Sequence, residues 1–441
     1  MKRWLVILLV ILALVILISP GIVGRLAEEK LADGIAWTEL DSPGFKIATE
    51  TFERGWFTSE GRHRVVFEDG QFQEATEMFS AATGSDSLPS LIIDTRLDHG
   101  LLPVTSLGRD QGSLAPGLAR SVSTLRLDVG DGGIIEIPGA LYSNVGLAGA
   151  SDARLLLDPV KFDLDGAIIE WQGADLNVHT HSGARKRSFE GVVESISLAA
   201  VGINAGIESF TIDADQSATP YGFRLGNADI TLTNLVFGAD GAAISVDSVA
   251  VKANTGIEDE RVSGSTMLSV NTLTGPTGDV DIDLKMTFSE FDAASLGVIS
   301  TALREAQGAT DPQTALMEIY PAIEDDVQTL LQKGLKFSVD QLDVSLPQGV
   351  LTTNIAFDVP ETDPSDNFSW PGVILSMTAS IDVKIPIALF DRVAMMNPEA
   401  GTLVAMGFLQ KEGTDYVMDA DYAKGLINVN GAPMPIPIPG L

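Results

Sequence analysis

The chain has 441 residues, of which 60 are acidic and 28 basic, so its formal net charge is −32 and its pI is about 4.3. Such a negative field repels phosphate backbones, and we expect no binding to nucleic acid. Cysteine is absent, which excludes disulfides, thiolate metal sites and cysteine nucleophiles. The hydrophobic fraction of 45% is that of a folded protein with a sizeable core.

The N-terminus predicts a membrane anchor. Residues 4–24 carry no charge and follow two basic residues, and a helix needs about 20 residues to span the hydrocarbon core. The basic residues before the span and the acidic bias after it place residues 1–3 in the cytoplasm and the remainder outside. A cleaved signal peptide is the alternative, but no A-x-A-like site follows the apolar run. Residues 25–40 have helical character and predict a short stalk helix.

Alternation of apolar and polar residues dominates the region 41–290 and predicts half-buried antiparallel strands. In the stretch DVDIDLKMTF, Val280, Ile282 and Leu284 share one face while aspartates take the other. Short turns rich in Gly, Asn and Asp separate such runs, which is typical of a long meander. The predicted strands lie at 91–98, 121–129, 153–163, 166–172, 174–181, 187–199, 203–214, 221–237, 242–252 and 261–274.

The region 291–430 predicts an α+β part. Leu and Ile recur at helical spacing over 291–334, where Pro321 predicts a break or kink. A second helical patch covers 387–413. The predicted strands of this part lie at 335–346, 350–359 and 373–385, before a final hairpin. The tail, 431–441, has alternating prolines that favour an extended chain.

These elements together predict a β-rich α+β fold, in which a long antiparallel meander of amphipathic strands carries a few C-terminal helices and follows one N-terminal transmembrane helix. The apolar face of such a sheet must be covered. Closure into a barrel, a sandwich, packing of the helices on the sheet and an open groove that receives a lipid all satisfy this requirement. The pattern does not choose among them, and it leaves a homo-oligomer open.

Two of the four histidines are weak candidates for a metal site. His179 and His181 stand at i, i+2 on a predicted strand, so both side chains project to one face. A zinc site needs at least a third ligand, for which Asp175 is the nearest acidic residue on the same strand. Two histidines on the polar face of a strand are more often simply exposed, so we expect no metal and no cofactor.

Other motifs of catalysis are absent from the sequence. No G-x-S-x-G occurs, and neither a P-loop nor a dinucleotide-binding fingerprint is present. His99 in LDHG could act as a general base, but a His-Gly pair after a strand more often marks the turn that Gly100 permits. We therefore expect no catalytic residue.

The stretch TFERGWFTSEGRHRVVF, residues 51–67, has the residue types of an active-site loop, yet its alternation predicts a hairpin. Gly55 permits a tight turn or bulge, and Trp56 and Phe57 are expected to plug one end of the core. Arg54 is expected to pair with an acidic neighbour. This interpretation makes the stretch a folding corner rather than an active site.

Several of these stretches resemble the YdgA-like family of bacterial envelope proteins. The matching pieces, besides the N-terminal span, are 52–67, 97–104, 168–176, 223–235 and 422–434. The residues that carry the resemblance are Arg54, Gly55, Trp56, Phe57, Ser59, His99, Gly100, Asn430 and Gly431. The family often has proline directly after the His-Gly pair, whereas Leu101 stands there in this chain. The resemblance implies a protein anchored in the inner membrane, with its bulk in the periplasm and without an assigned reaction.

Three functional hypotheses follow. The first is a non-enzymatic envelope protein that holds or shuttles a lipid or another hydrophobic component, by analogy of fold with the AsmA and TamB kind. The second is an assembly module that docks an envelope protein through its acidic face or its tail. The third and weakest is a hydrolase of envelope glycan or lipid that uses His99, or His179 with His181.

Overall fold

The computed structural model describes ten stretches of the chain. They are residues 45–67, 88–100, 117–130, 133–164, 166–239, 242–275, 278–307, 312–363, 368–397 and 400–435. The predicted anchor at 4–24 and the stalk at 25–40 lie outside them, as do the last six residues of the predicted tail. No helix within these stretches is long and apolar enough to cross a membrane. Two compact units result: Met1–Ala218 with Gln307–Pro312, and Thr219–Ala306 with Gln313–Leu441.

The first unit is an antiparallel sheet. Its strands are β1 (Phe45–Arg54), β2 (Thr58–Phe67), β3 (Ser90–His99), β4 (Ala119–Asp128), β5 (Ile134–Val145), β6 (Ser151–Leu157), β7 (Val160–Leu164), β8 (Ala167–Trp171), β9 (Ala174–Thr180), β10 (Lys186–Ala200) and β11 (Ile203–Ala218). Pairing follows chain order from β1 to β6, and then passes to β9, β10 and β11. The β7–β8 hairpin joins through β8, which pairs with the far half of β10.

The second unit is an antiparallel sheet with helices. Its elements are β12 (Arg224–Ala239), β13 (Ala242–Glu258), β14 (Arg261–Gly275), β15 (Gly278–Asp292), α1 (Ala293–Gln307), α2 (Pro312–Gln332), β16 (Leu335–Leu346), β17 (Gly349–Val359), α3 (Trp370–Ser376), β18 (Thr378–Pro386), α4 (Ile387–Met396), α5 (Ala400–Ala405), β19 (Gln410–Glu412), β20 (Asp415–Ala423), β21 (Leu426–Val429) and β22 (Ala432–Pro435). Strands β12 to β18 pair in order, and β18 then pairs with β20.

The predicted fold class is confirmed in its main part: the described chain is β-rich, antiparallel and two-faced, with a few helices in its C-terminal half. The predicted change of character at 290 falls close to the start of α1 at Ala293, whereas the compact units divide at Ala218. The two-faced register follows from period-2 alternation, because a strand with one apolar face can pair only so that this face stays aligned with its neighbours.

Helices cover one end of the apolar face of the second unit. Leu330 of α2 and Val373 of α3 pack with Leu335 and Val359 of the sheet, and Phe357 packs against this cluster. Residues at the start of α1 pack in the same way against β12, β14 and β15. Of the alternatives left open by the sequence, packing of helices on the sheet is therefore realised at this end.

Three secondary-structure predictions in the second unit differ in part from the structure. The strand at 373–385 begins only at Thr378, because Ser369 caps a helix: its hydroxyl accepts a hydrogen bond from the backbone N–H of Gly372 at 3.1 Å. The helical patch predicted at 387–413 holds two helices, α4 and α5, and its last residues form β19. Helix α4 ends at Met396, where Asn397 is extended as expected before a proline. Of the break or kink predicted at Pro321, the break does not occur, since α2 continues through this residue.

Two further differences concern the first unit. The strand predicted at 153–163 is divided between β6 and β7, which matches the proline at position 159, since proline cannot donate to a strand ladder. Strand β5 was not predicted, although it is 12 residues long. A register shift opposite Ser123 and Leu125 interrupts its alternation, so its period-2 pattern is broken in the middle.

Candidate functional site

The N-terminal signature and the His-Gly pair meet at one end of the first sheet. The predicted hairpin is confirmed, since β1 and β2 pair up to Arg54 and Ser59, and the backbone N–H of Gly55 donates to the Thr58 carbonyl at 2.8 Å. Strand β3 then pairs with β2 in a register that brings its end beside the bend. The backbone N–H of His99 donates to the carbonyl of Phe57 at 3.0 Å.

A buried hydrogen bond joins the two motifs. Ser59 Oγ lies 3.1 Å from His99 Nε2, and both residues are 1% exposed. Gly100 follows with a φ of 120°, a conformation that favours glycine, and its N–H donates to the Leu118 carbonyl. The sequence singled out both side chains but could not place them together, because 40 residues separate them.

A serine beside a histidine is the arrangement of an activated nucleophile, so the exposure of the pair decides whether it can act as one. A nucleophile must be reached by its substrate, and Ser59 is closed to solvent. Asp98 is adjacent in sequence to His99, yet neighbouring residues of a strand project to opposite faces, so its carboxylate does not orient the imidazole. The contact joins the bend of the hairpin to the end of β3, and the structural role expected for this stretch stays a prediction.

His63 adds a second buried histidine to the same sheet face, which sequence analysis did not single out. Its Nδ1 lies 3.0 Å from the hydroxyl of Thr49, and the residue is 5% exposed. Burial lowers the pKa of His63, so the ring is neutral near pH 7. Thr95 and Ser123 on this face share a hydrogen bond of 2.8 Å. The otherwise apolar face therefore has a cluster of polar side chains near one end.

The prediction that Trp56 and Phe57 plug the core was wrong. Trp56 is 56% exposed and Phe57 is 37% exposed. Both residues stand in the bend, beyond the last paired residues of β1 and β2, so neither occupies a position on a sheet face.

The opposite face of the first sheet carries a polar groove of about 480 Å³. Two rows of side chains cross it in register, one from Asp98 to Asp215 and one from Arg96 to Asp213. Salt bridges order this face at its edge, where Asp94 is bound by Arg62 at 2.7 Å and by Arg126. Burial alone would raise the pKa of Asp94, but these hydrogen bonds outweigh it and hold the pKa below its ordinary value.

His179 lies in this groove and is held by a residue that the sequence did not suggest. Its Nδ1 lies 2.5 Å from Asp152 on the neighbouring strand β6, and the His181 ring stands edge-on at 4.7 Å. Asp175, the suggested third ligand, accepts hydrogen bonds from Arg154 at 2.9 and 2.6 Å instead. No group of three or more metal-ligating side chains occurs within the described stretches.

The apolar face of the second sheet is only partly covered. Ile230, Val251, Leu268, Leu284 and Leu342 stand opposite one another across five strands, and all five are half-buried. A parallel row crosses six strands; it consists of Leu232, Val249, Val270, Ile282, Val344 and Leu351. Neither row belongs to the clusters that contain helix residues in the described part of the chain.

The C-terminal signature, Asn430 and Gly431, forms a turn that contacts residues distant in sequence. Asn430 and Gly431 have φ of 50° and 78°, as a two-residue turn between β21 and β22 requires. The Asn430 side chain donates to the carbonyls of Gly407 and Phe408, at 3.1 and 3.0 Å, and accepts from the N–H of Asp419 at 2.9 Å. One asparagine thus ties the chain after α5 to the last strands.

The described residues define a two-faced antiparallel β-sheet protein whose motif residues build corners. The chain belongs to a family of bacterial proteins of unknown function, DUF945, whose model matches residues 1–437. No curated protein and no solved structure matches the chain. Family membership agrees with the expectation of a family without an assigned activity, while the location in the envelope stays a prediction.

Proposed function

We propose that this protein is anchored in the bacterial inner membrane by residues 4–24, faces the periplasm, and holds or shuttles an amphiphile on the apolar face of its sheets without transforming it. The half-buried apolar rows of the second sheet carry this proposal. A side chain in a packed core is almost wholly buried, whereas these rows are shielded by their neighbours on the sheet but keep part of their surface accessible.

The dimensions of the rows suit an acyl chain. Adjacent strands lie about 4.8 Å apart, so a row across five strands is about 19 Å long and a row across six is about 24 Å long. This is the length of an extended fatty acyl chain. Burial of such a chain is favourable in proportion to the apolar area removed from water, and the rows supply that area without a specific polar contact.

Two adjacent residues of β14 allow a matched test. Leu268 belongs to the apolar row, whereas Ser269 projects to the opposite face and donates a hydrogen bond to Asp283 at 2.8 Å. A photoreactive amino acid is incorporated at either position of the full chain in bacterial cells and activated by light. Mass spectrometry of the cross-linked peptides then identifies any attached lipid.

We expect lipid adducts at position 268 and none at position 269. Equal labelling at both positions would mean that lipid contact reflects only nearness to the membrane, and protein adducts at position 268 without lipid would favour the assembly hypothesis. Either result would contradict the proposal.

A further inference from the structure

The segment from Ile387 to Leu409 exposes four large apolar side chains. Its described residues are α4, Asn397, α5 and the four residues that follow, and they are called here the apolar helical segment. Val393 and Leu403 are 41% and 43% exposed, and Met395 and Met406 are 78% and 63% exposed. Single exposed apolar residues are normal, but several within one short segment mark a contact surface.

The segment is fixed to the sheet, so its exposure is built into the fold. Phe390 of α4 is 6% exposed and its ring packs on Tyr416 of β20, with the centroids 4.7 Å apart. At the other end, Leu409 is 4% exposed, and Asn430 binds the carbonyls of the two residues before it. The buried anchors at both ends hold the exposed methionines and Leu403 away from the core.

The charge of the segment indicates what it contacts. The segment carries three charged residues, Asp391, Arg392 and Glu399, in a chain whose net charge is −32. Its four exposed apolar side chains lie from Val393 onward, where Glu399 is the sole charged residue in the sequence before Lys411. A docking surface for a charged protein partner would carry complementary charges, whereas an uncharged apolar patch complements the boundary between headgroups and acyl chains. From Val393 to Gln410 the segment itself adds one negative charge to the repulsion of anionic headgroups.

The chain outside the described residues points to the same occupant. The N-terminal 44 residues contain the uncharged run at 4–24, which the proposed function places in the bilayer. A tether of this kind keeps a membrane surface at a high effective concentration around the attached units. Weak apolar contact is then sufficient for binding.

We propose that the apolar helical segment inserts Met395, Leu403 and Met406 into the interface of a phospholipid bilayer. This inference rests on the anchoring that the proposed function assumes, but it does not require a lipid on the sheet. It gives the second unit a membrane contact of its own.

The absence of cysteine from the chain makes the test direct. Met395→Cys or Met406→Cys supplies the sole thiol of the full chain, to which an environment-sensitive fluorophore is attached. The matched control is Met267→Cys, which is 45% exposed and stands in register between Lys252 and Lys285 on the polar face. The labelled chains are reconstituted into vesicles of phosphatidylethanolamine and phosphatidylglycerol.

We expect the emission at positions 395 and 406 to shift to the blue relative to position 267, and to be lost when the acyl chains carry a quencher. Leu403→Asp should return the emission of the label at position 406 to that of the control, while the chain still floats with the vesicles. Unchanged thermal unfolding of this variant verifies that its fold is intact.

Three results would overturn the inference. If the chain floats but the labels at 395 and 406 match the control, the segment does not touch the bilayer, although the anchor stands. If the labels are shielded but acyl-chain quenchers have no effect, a second copy of the chain covers the segment. If the chain does not float at all, the anchor assumed by the proposed function fails as well.

Discussion

The Asn430 turn offers a prediction whose magnitude can be worked from the structure. Its side chain makes three hydrogen bonds, two to carbonyls after α5 and one from the Asp419 N–H. A hydrogen bond contributes about 1 kcal/mol net, and less where solvent competes. Because the residue is half-buried, we expect about 2 kcal/mol from the three together.

A second turn in the same unit isolates this contribution. Lys424, before Gly425, has a φ of 53° against 50° for Asn430, and no side-chain hydrogen bond of Lys424 occurs among the described residues. Both Asn430→Gly and Lys424→Gly relieve the left-handed strain and both add freedom to the unfolded chain. Lys424→Gly relieves more of this strain, because asparagine tolerates the left-handed region better than lysine. The change in unfolded-chain freedom is similar in both variants, so the part of the difference beyond this strain reports the side-chain contacts.

Urea unfolding of the purified chain, followed by circular dichroism, measures this difference. Asn430→Gly should lower the free energy of unfolding by about 2 kcal/mol more than Lys424→Gly. Hydrogen exchange should also accelerate in the peptide over 403–410 in the Asn430 variant alone. If the two variants agree within about 0.5 kcal/mol, the range of neutral surface changes, the asparagine does not hold the segment and the argument fails.

Two further predictions concern buried polar groups. Asp292 is 3% exposed, and its carboxylate accepts hydrogen bonds from Lys333 at 2.5 Å and from the backbone N–H of Ser295 at the start of α1. Burial acts to raise the pKa of Asp292, but these hydrogen bonds outweigh it and lower the pKa. Because the pKa of Asp292 is lowered in the folded state, its stabilisation is complete above about pH 4 and is lost as the pH falls through the folded pKa. Asp292→Ala should therefore make the free energy of unfolding less dependent on pH on the acid side. Urea unfolding at a series of pH values from neutral to acid measures this dependence. Ser59→Ala leaves the buried His99 without its hydroxyl partner and should cost about 1–3 kcal/mol in thermal unfolding, whereas flotation with vesicles should not change; loss of flotation with an intact fold would contradict the structural role.

The sequence predicted elements well where one physical rule sufficed. From β10 to β16 the strands could be placed within a few residues. Alternation of apolar and polar residues fits only one regular structure, a strand with one buried face. Elements failed where a local signal competed with the pattern. Residues 373–376 alternate like a strand, yet the capping serine at position 369 and the proline at 371 start a helix there.

Contacts between distant residues were not predictable in the same way. The contact between Ser59 and His99 depends on the register of β2 against β3. The contact between His179 and Asp152 depends on the pairing of β6 with β9. Two strands intervene between β6 and β9 along the chain, so sequence order alone would not pair them. Proximity in sequence suggested Asp175 as the partner of His179, whereas the strand pairing places Asp152 beside it.

The position of the motif residues bears on where the function should be sought. A sheet face tolerates any side chain of suitable polarity, whereas a corner demands particular residues: Gly100 and Gly431 adopt positive φ, and Asn430 spans three backbone groups. A resemblance detected through such residues therefore reports a shared folding geometry and is silent about the faces between the corners. If the protein handles an amphiphile, the selective features are the width and accessibility of the apolar rows, which no motif encodes. Substitution of single corner residues would then alter stability, and only charged substitutions within a row, such as Leu268→Asp, would abolish lipid contact while leaving the corners in place.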